Sequence, residues 1–343
     1  MLGVLGDLVE DIVVWLAEPV RQATDTDVTI YRTRGGSAAN VAAFAGSLYP
    51  TRFLGCVGPD LTGDRLVADL AAHGVDVRVQ RRGDTGTVIV LVGPDGERTM
   101  LPHRGAATLL TAVDDAWLDG LEHLHVPAYS FAAAPTADTA VSAAHRTRRR
   151  GGTVSVDASS TGMLHKYGVS RFLGLLAELS PEWLFANRSE ADLLGVTGTG
   201  LPGTTVVVKN GSRPAVVLAP GQAALPVPVP PVTGVRDLTG AGDAFAAGYL
   251  AAVLRGADAG AACTAGHASA ARALRAPGGG PPAPRPADLT APRGDALPSR
   301  RPACRGRSAF GVRLPGWLRG GDGGGGGVVA GQQVEAVDDG GGQ

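Results

Sequence analysis

Asp237-Leu238-Thr239-Gly240-Ala241-Gly242-Asp243-Ala244-Phe245-Ala246-Ala247-Gly248 joins a glycine-rich turn, a helix start and a carboxylate within twelve residues. Gly240 and Gly242 permit positive φ and bring backbone N–H groups close to a ligand. The small apolar run from Ala241 to Leu254 reads as the helix that follows, and the plain alternative is an ordinary helix start capped by Thr239. Amides left unpaired at that start face an anion. Asp243 lies in the first turn, where the macrodipole favours its ionised form, so it can accept a proton from a bound hydroxyl. This order of residue types points to phosphoryl transfer to an alcohol. Two other phosphate signatures fail. The dinucleotide pattern GxGxxG requires glycine where Phe245 stands, and the P-loop requires a GK[ST] lysine, whereas the only two lysines are Lys166 in HKYG and Lys209 in VKNG.

The whole chain sets the bounds. Its 343 residues, 44% of them apolar, suffice for a substantial core in one large or two ordinary domains. A formal charge of −1 shows no bias toward nucleic acid or membrane and leaves small molecules as the expected partners. Cys56, Cys263 and Cys304 are few, odd in number and without CxxC spacing, which predicts no disulfide framework or zinc site and fits a reducing cytoplasm. The apolar start MLGVLGDLVEDIVVWL is broken by Asp7, Glu10 and Asp11, so it reads as neither a signal peptide nor a membrane span.

Short apolar runs at Gly3 to Leu5, Arg52 to Val57, His123 to Val126, Thr153 to Val156, Trp183 to Ala186 and Thr205 to Lys209 alternate with alanine-rich stretches, the pattern of a parallel sheet flanked by helices. Two β-rich islands interrupt it. The first holds Asp11 to Trp15 and Val28 to Arg32. The second holds Val77 to Gln80, Thr87 to Val92 and Arg98 to Leu101, with a turn at Pro94-Asp95-Gly96. Together they predict a small sheet, spanning roughly residues 11–34 and 77–101, that acts as a lid over the carboxyl ends of the main strands. The expected domain is 1–285. Beyond it, residues 286–343 turn to Gly, Pro and Arg, including Arg300, Arg301, Arg305 and Arg307, and read as an extension unable to bury a core.

Other constellations fall at strand ends. Gly35-Gly36-Ser37-Ala38-Ala39-Asn40 opens a helix expected over Ser37 to Leu48, with Ser37 as its N-cap. Asn40, one turn in, is a poor helix former and reads as kept for a ligand, or else as part of a flexible turn. Asp11 begins a lid strand and suits two sugar hydroxyls, with Asp7 and Glu10 as competitors or solvated surface charges. Asn187 and Glu190 follow a strand directly, which suits either a hydrated magnesium ion or a reciprocal helix cap. Lys209-Asn210-Gly211-Ser212 is a glycine turn after another strand.

In this combination and order the segments GGSAAN at 35–40 and DLTGAGDAFAAGYL at 237–250 resemble the two signatures of the PfkB, or ribokinase-like, carbohydrate kinases. GCVGPDLTGDRL at 55–66, GPDGERTM at 93–100, NRSE at 187–190 and VVVKNGS at 206–212 fall in the family's order, so the likeness covers roughly residues 2–285. The resemblance implies an α/β three-layer sandwich with a central, mostly parallel sheet and a small β lid. It implies ATP-dependent phosphorylation of a sugar hydroxyl, with Asp243 as base and the amides of Gly240, Ala241 and Gly242 as anion hole. Asp11, Gly35, Gly36 and Asn40 would meet the sugar. Asn187 and Glu190 would hold magnesium through water, and Lys209 and Gly211 would lie near the nucleotide. Potassium, as in many members, would fall to Asp237 and the Thr239 carbonyl, and a homodimer would form through the lid. Specificity is expected in lid side chains such as Arg98 and Arg104. Pro214 departs from the family's usual glycine and removes an N–H near the nucleotide turn. A nucleoside kinase of the same fold, or a sugar-binding regulator without turnover, are the competing readings.

Overall fold

Strands rich in Val, Leu and Phe alternate with alanine-rich helices along the chain, and each strand that is apolar on both faces can be buried only between two helical layers. The computed structural model describes residues 1–95 and 97–275. Gly96 of the expected hairpin turn, Cys304, the end of the expected domain 1–285 and the expected tail 286–343 lie outside the described residues. Internal contacts divide the chain into Met1–Ala291 and Pro292–Gln343, and all elements below belong to the first unit.

In chain order these are β1 (Leu2–Leu5), β2 (Val9–Leu16), β3 (Val28–Gly35), α1 (Ser37–Gly46), β4 (Thr51–Val57), α2 (Leu61–Ala72), β5 (Val75–Arg81), β6 (Thr85–Val92) and β7 (Arg98–Gly105). There follow β8 (His123–Pro127), α3 (Thr136–Arg149), β9 (Thr153–Asp157), α4 (Thr161–Tyr167), α5 (Val169–Leu179), β10 (Trp183–Asn187) and α6 (Arg188–Leu193). The described part ends with β11 (Thr205–Lys209), β12 (Ala215–Leu218), β13 (Leu225–Val227), α7 (Ala241–Val253) and α8 (Ala259–Ala273).

The main sheet has nine strands in the order β13-β12-β11-β10-β9-β8-β1-β4-β5, parallel from β11 to β5 and antiparallel at β12 and β13. Period-two alternation divides its core. Leu184, Ala186, Val206 and Val208 join one buried layer with Phe172 of α5 and Ala140 of α3. Phe185 and Val207 join the other with Phe44 of α1 and Phe245 and Tyr249 of α7. Phe53, Phe185 and Tyr249 are among the largest fully buried side chains, each contributing about 1.5–3 kcal/mol of transfer free energy. Polar groups on the same strands are paired rather than excluded, with the exception of His125 Nε2, which has no hydrogen-bond partner among the described residues. Ser155 Oγ lies 2.7 Å from His123 Nε2 and 2.8 Å from His125 Nδ1, and burial holds both imidazoles below their ordinary pKa, His125 down to about 3.

The second sheet has four strands, β3-β2-β6-β7. Here the sequence expectation needs correction: Val77 to Gln80 is not a lid strand. Val75–Arg81 pairs in parallel with Thr51–Val57, and Val77 and Val79 pack on the main core, so the lid's second half begins only at Thr85. The registers set two lid faces. Asp11, Val13 and Trp15 align with Val88, Val90 and Val92 and, across β7, with Pro102, Met100 and Arg98. The other face carries Ile30, Ile89 and Leu101, all exposed, and is the surface a lid-to-lid homodimer would bury. Among the described residues no helix is long and apolar enough to cross a membrane.

Candidate active site

Gly36, at φ 101°, ends the lid and caps α1; a Cβ there would sit 2.4 Å from the Asp7 carbonyl oxygen. The cap is therefore Gly36 and not Ser37. Ser37 is the first helical residue; Ala38 N donates to Asp7 Oδ1 at 3.1 Å, and the amides a cap at 37 would serve, those of Ala39 and Asn40, donate to the backbone oxygens of Asp7 and Gly36 at 3.2 and 2.9 Å. The hydroxyl of Ser37 is thereby free for another acceptor, and it donates to Asp243 Oδ1 at 2.8 Å. One turn on, Asn40 Nδ2 donates to Asp243 Oδ2 at 3.0 Å. The amide cannot flip without loss, because Asn40 Oδ1 accepts from Arg34 Nη1 at 3.0 Å, and the buried Arg34 is itself anchored on Asp69 at 2.8 Å.

Gly240, at φ 72°, is the N-cap of α7, which places Asp243 in its first turn. Among the described residues the amides of Gly240 and Gly242 have no backbone acceptor, the state expected of a helix start open to an anion. Ala241 N reaches only Leu238 O, at 3.4 Å. Burial pushes the Asp243 carboxyl up to about 7; the hydrogen bonds from Asn40 and Ser37 and the Lys209 charge oppose the rise, and Asp157 adds to it. Asp243 keeps some contact with solvent at the cleft floor, so the rise is smaller in consequence than that of a fully enclosed acid.

The carboxyl ends of β9, β10 and β11 supply the next charges. Lys209 Nζ lies 2.6 Å from Asp157 Oδ2 and would be 3.2 Å from a Cβ on Gly242, so its ammonium borders the open helix start. Burial alone would lower Lys209, but Asp157 and Glu190 outweigh it and hold the ammonium above its ordinary pKa. Asn187 and Glu190 form a reciprocal cap: Glu190 N donates to Asn187 Oδ1 at 2.9 Å, and Asn187 N donates to Glu190 Oε2 at 2.8 Å. The capping alternative is thus real, and it engages both oxygens of the buried Glu190, since Asn187 Nδ2 also donates to Oε1 at 2.6 Å. Burial, and then the neighbouring Asp157, raise the Glu190 pKa. Among the described residues no three or more His, Cys, Asp or Glu side chains converge as a metal cage. The neighbouring carboxyls of Asp157 and Glu190 nevertheless suit magnesium, which keeps most of its waters and needs few protein ligands.

The lid contributes from above. The Asp11 carboxylate packs on Gly35, where a Cβ would be 2.0 Å away, and burial followed by the Asp7 charge pushes its pKa up to about 7 against the pull of Arg34. Asp7 and Glu10 are not solvated surface charges. Asp7 accepts from Arg104 at 2.9 Å, and the buried Glu10 pairs with Arg32 at 2.9 Å and with Arg65. Arg104, expected to read the acceptor, is held by Asp7 and stacks 4.1 Å from the Tyr129 ring centre. Arg98 reaches Asp237 and Thr239, the expected potassium ligands. Gly211 lies in an exposed turn at φ 62°, and Asn210 Nδ2 donates to the Pro214 carbonyl at 3.3 Å, so Pro214 ends a turn ahead of β12 without removing a ladder bond. Sequence reading passed over Asp157, Arg34 and Ser37's true task. Asp157 carried one usable signal, a carboxylate as the last residue of a parallel strand.

Comparison with known proteins gives the family and the fold. Residues 4–286 match the pfkB family carbohydrate kinase description. The chain is 33% identical over 235 residues to the ATP-dependent ribose-1-phosphate kinase of Halopiger xanaduensis, covering 65% of this chain and 74% of that protein. It is 31% identical over 267 residues to a fructokinase of Klebsiella pneumoniae, covering 73% and 83%. The solved adenosine kinase of Sinorhizobium meliloti superposes with a TM-score of 0.72 at 24% identity, over 82% of this chain and 95% of that one. A putative ribokinase II from E. coli, solved with ATP and magnesium, gives a TM-score of 0.69 at 24% identity, over 81% and 94%.

Proposed function

We propose, from the premise that this chain belongs to the pfkB family of carbohydrate kinases and phosphorylates a sugar or nucleoside, that Asp243 is the base and that the acceptor is a small sugar bound between Asn40 and the lid. The observation that carries the reading is the position of Asp243: two donors from the α1 start hold its carboxylate, while the Lys209 ammonium and the open amides of α7 lie on its other side. A hydroxyl placed there loses its proton to Asp243 as its oxygen forms a bond to the γ-phosphorus of ATP. The bond from that phosphorus to the bridging oxygen breaks, and ADP leaves. The amides of Gly240, Ala241 and Gly242, with Lys209, meet the charge on the transferred group. A carboxylate is a weak base, but in a loose transition state the proton departs late, so position matters more than basicity. Magnesium supplies charge neutralisation on the phosphates, and Glu190, with Asn187 and Asp157, would hold its waters.

ATP as donor is supported by the ATP-dependent relative, and sugar as acceptor by the fructokinases. A nucleoside acceptor is the second reading, favoured by Trp15, Tyr31 and Met100, which share the lid face of Asp11 and are 43–58% exposed; flat side chains of this kind can lie over a base. We place the protein in the cytoplasm, where the buried thiols of Cys56 and Cys263 stay reduced. The test is a panel of sugars and nucleosides with ATP and magnesium, read as ADP release. One acceptor class is expected to drive turnover. Binding of acceptors by calorimetry with no ADP from any of them would return the protein to the regulator reading.

A further inference from the structure

Arg98 is the first residue of β7, in the lid, yet its guanidinium ends on the loop that leads into α7. Nη2 lies 2.7 Å from Asp237 Oδ1, and Nη1 donates to Thr239 Oγ1 at 2.5 Å. The same carboxylate oxygen accepts from Thr239 N at 2.7 Å. Of the two ligands that family resemblance offers to potassium, the Asp237 carboxylate is therefore engaged by the guanidinium fork, whose other arm takes the Thr239 hydroxyl rather than the Thr239 carbonyl. A potassium ion there would need the Asp237 carboxylate as its charged ligand. That oxygen already contacts a permanently charged side chain, and a second cation would be repelled at short range. These donors do not fit potassium while Arg98 is in place.

We propose that Arg98 is an internal replacement for the monovalent cation. It neutralises Asp237 and fixes the turn from Thr239 into Gly240 that aims the first amides of α7, so phosphoryl transfer proceeds without potassium. The chemistry matches. A diffusible ion at this loop can supply only a unit charge, whereas the planar fork supplies the charge and two directed donors, one to a carboxylate and one to a hydroxyl. Because the fork is mounted on the lid, the same contact completes the anion cradle when the lid lies over the site. Arg98 is a positioning residue, acting on the transferred group through the Asp237–Thr239 loop, and the claim rests on the kinase reading above.

The experiment compares wild type with Arg98→Met in choline chloride and in about 100 mM potassium chloride, at matched ionic strength. Wild-type kcat is expected to be unchanged by potassium. Arg98→Met should lose kcat on the order of 10²-fold, as when one preorganised donor is removed, with little change in acceptor KM, and should recover part of it with potassium or with added guanidinium. Potassium activation of the wild type would overturn the proposal. So would an Arg98→Met variant that is fully active in choline, or one whose loss neither ion repairs. Melting temperature with ATP and magnesium gives a readout independent of turnover: potassium should leave the wild type unmoved, and a potassium-dependent rise in the wild type would sink the claim. If no acceptor supports turnover in either protein, the kinase reading fails, and the melting comparison still decides the cation site.

Discussion

The floor of the cleft and its lid are held by opposite strategies. On the floor, side chains far apart in sequence converge on one carboxylate: Ser37 and Asn40 meet Asp243 across 206 and 203 residues, and the Asn40 contact has a second partner, Arg34, that fixes it. On the lid, β2 and β6 expose Trp15 and Ile89 at 43% and 39%, and the charged side chains that reach down, Arg98 and Arg104, are each tied to a carboxylate of the main domain. The difference separates two tasks. A floor built from interlocked hydrogen bonds sets the chemistry, and a lid with exposed side chains on both faces can set only what enters and when the loop ahead of α7 is complete. Substitutions on the floor should therefore act on kcat or on folding, substitutions of the exposed lid side chains should act on KM, and Arg98, the lid residue that ends on the loop ahead of α7, should act on kcat.

Asp243→Asn tests the floor most severely. Loss of the base should lower kcat by about 10²–10⁴-fold, while calorimetry still finds nucleotide binding; a variant retaining near-normal turnover would remove Asp243 from its role. The wild type should show kcat/KM falling as pH drops through about 7, because the carboxyl, raised from 3.8, must be ionised to accept the proton. The stability sign is the reverse. A carboxyl with a raised folded pKa contributes stability that is present below its unfolded value and is lost as pH rises through its folded value. At pH values above about 7 the Asn variant should therefore melt higher than the wild type, so the proposed base is held at a cost in stability.

The next effect falls on folding. Lys209→Met removes the counterion of Asp157, whose side chain is only 5% exposed, and leaves Glu190 beside it. Breaking one side of such a pair typically costs about 3–5 kcal/mol, readable as a lower denaturation midpoint, with KM for ATP raised as well. A Lys209→Met protein as stable as the wild type would show that the carboxylates find other compensation, and the floor would not be the interlocked unit described. Adding Asp157→Asn to that variant should restore part of the lost stability, since it removes the stranded charge.

How much of this was legible depended on whether the information was local. The strand–helix alternation, the α7 start and the Asn187–Glu190 cap are patterns within a dozen residues, and they stood in the sequence much as they stand in the fold. Val75–Arg81 was misplaced because its alternating valines suit either sheet; only pairing with Thr51–Val57 decides which. Ser37 was read as a cap because cap residues are identified by type, whereas the backbone oxygens of Asp7 and Gly36 had taken the amides of Ala39 and Asn40. The Arg98 contact spans 141 residues, and the expected potassium at Asp237 followed from resemblance, which could not foresee a guanidinium arriving from the lid. His123 and His125 read as part of an apolar strand, and nothing near them announced that Ser155 on the adjacent strand would accommodate both rings.

The smallest expected effect sharpens the lid side of the comparison. Tyr31 is 58% exposed and shares the lid face of Asp11, so Tyr31→Ser should change melting temperature little, within the ±0.5 kcal/mol usual for surface substitutions. It should leave kcat near wild type, since no floor contact involves it, and raise KM for the acceptor alone. The size of that rise also separates the two acceptor readings. A sugar held by Asp11 and Asn40 would be bound almost as before, whereas a nucleoside lying under the ring would lose its stacking surface. A fall in kcat with unchanged KM would instead mean that the outer lid governs the chemical step, and the division between floor and lid would have to be redrawn.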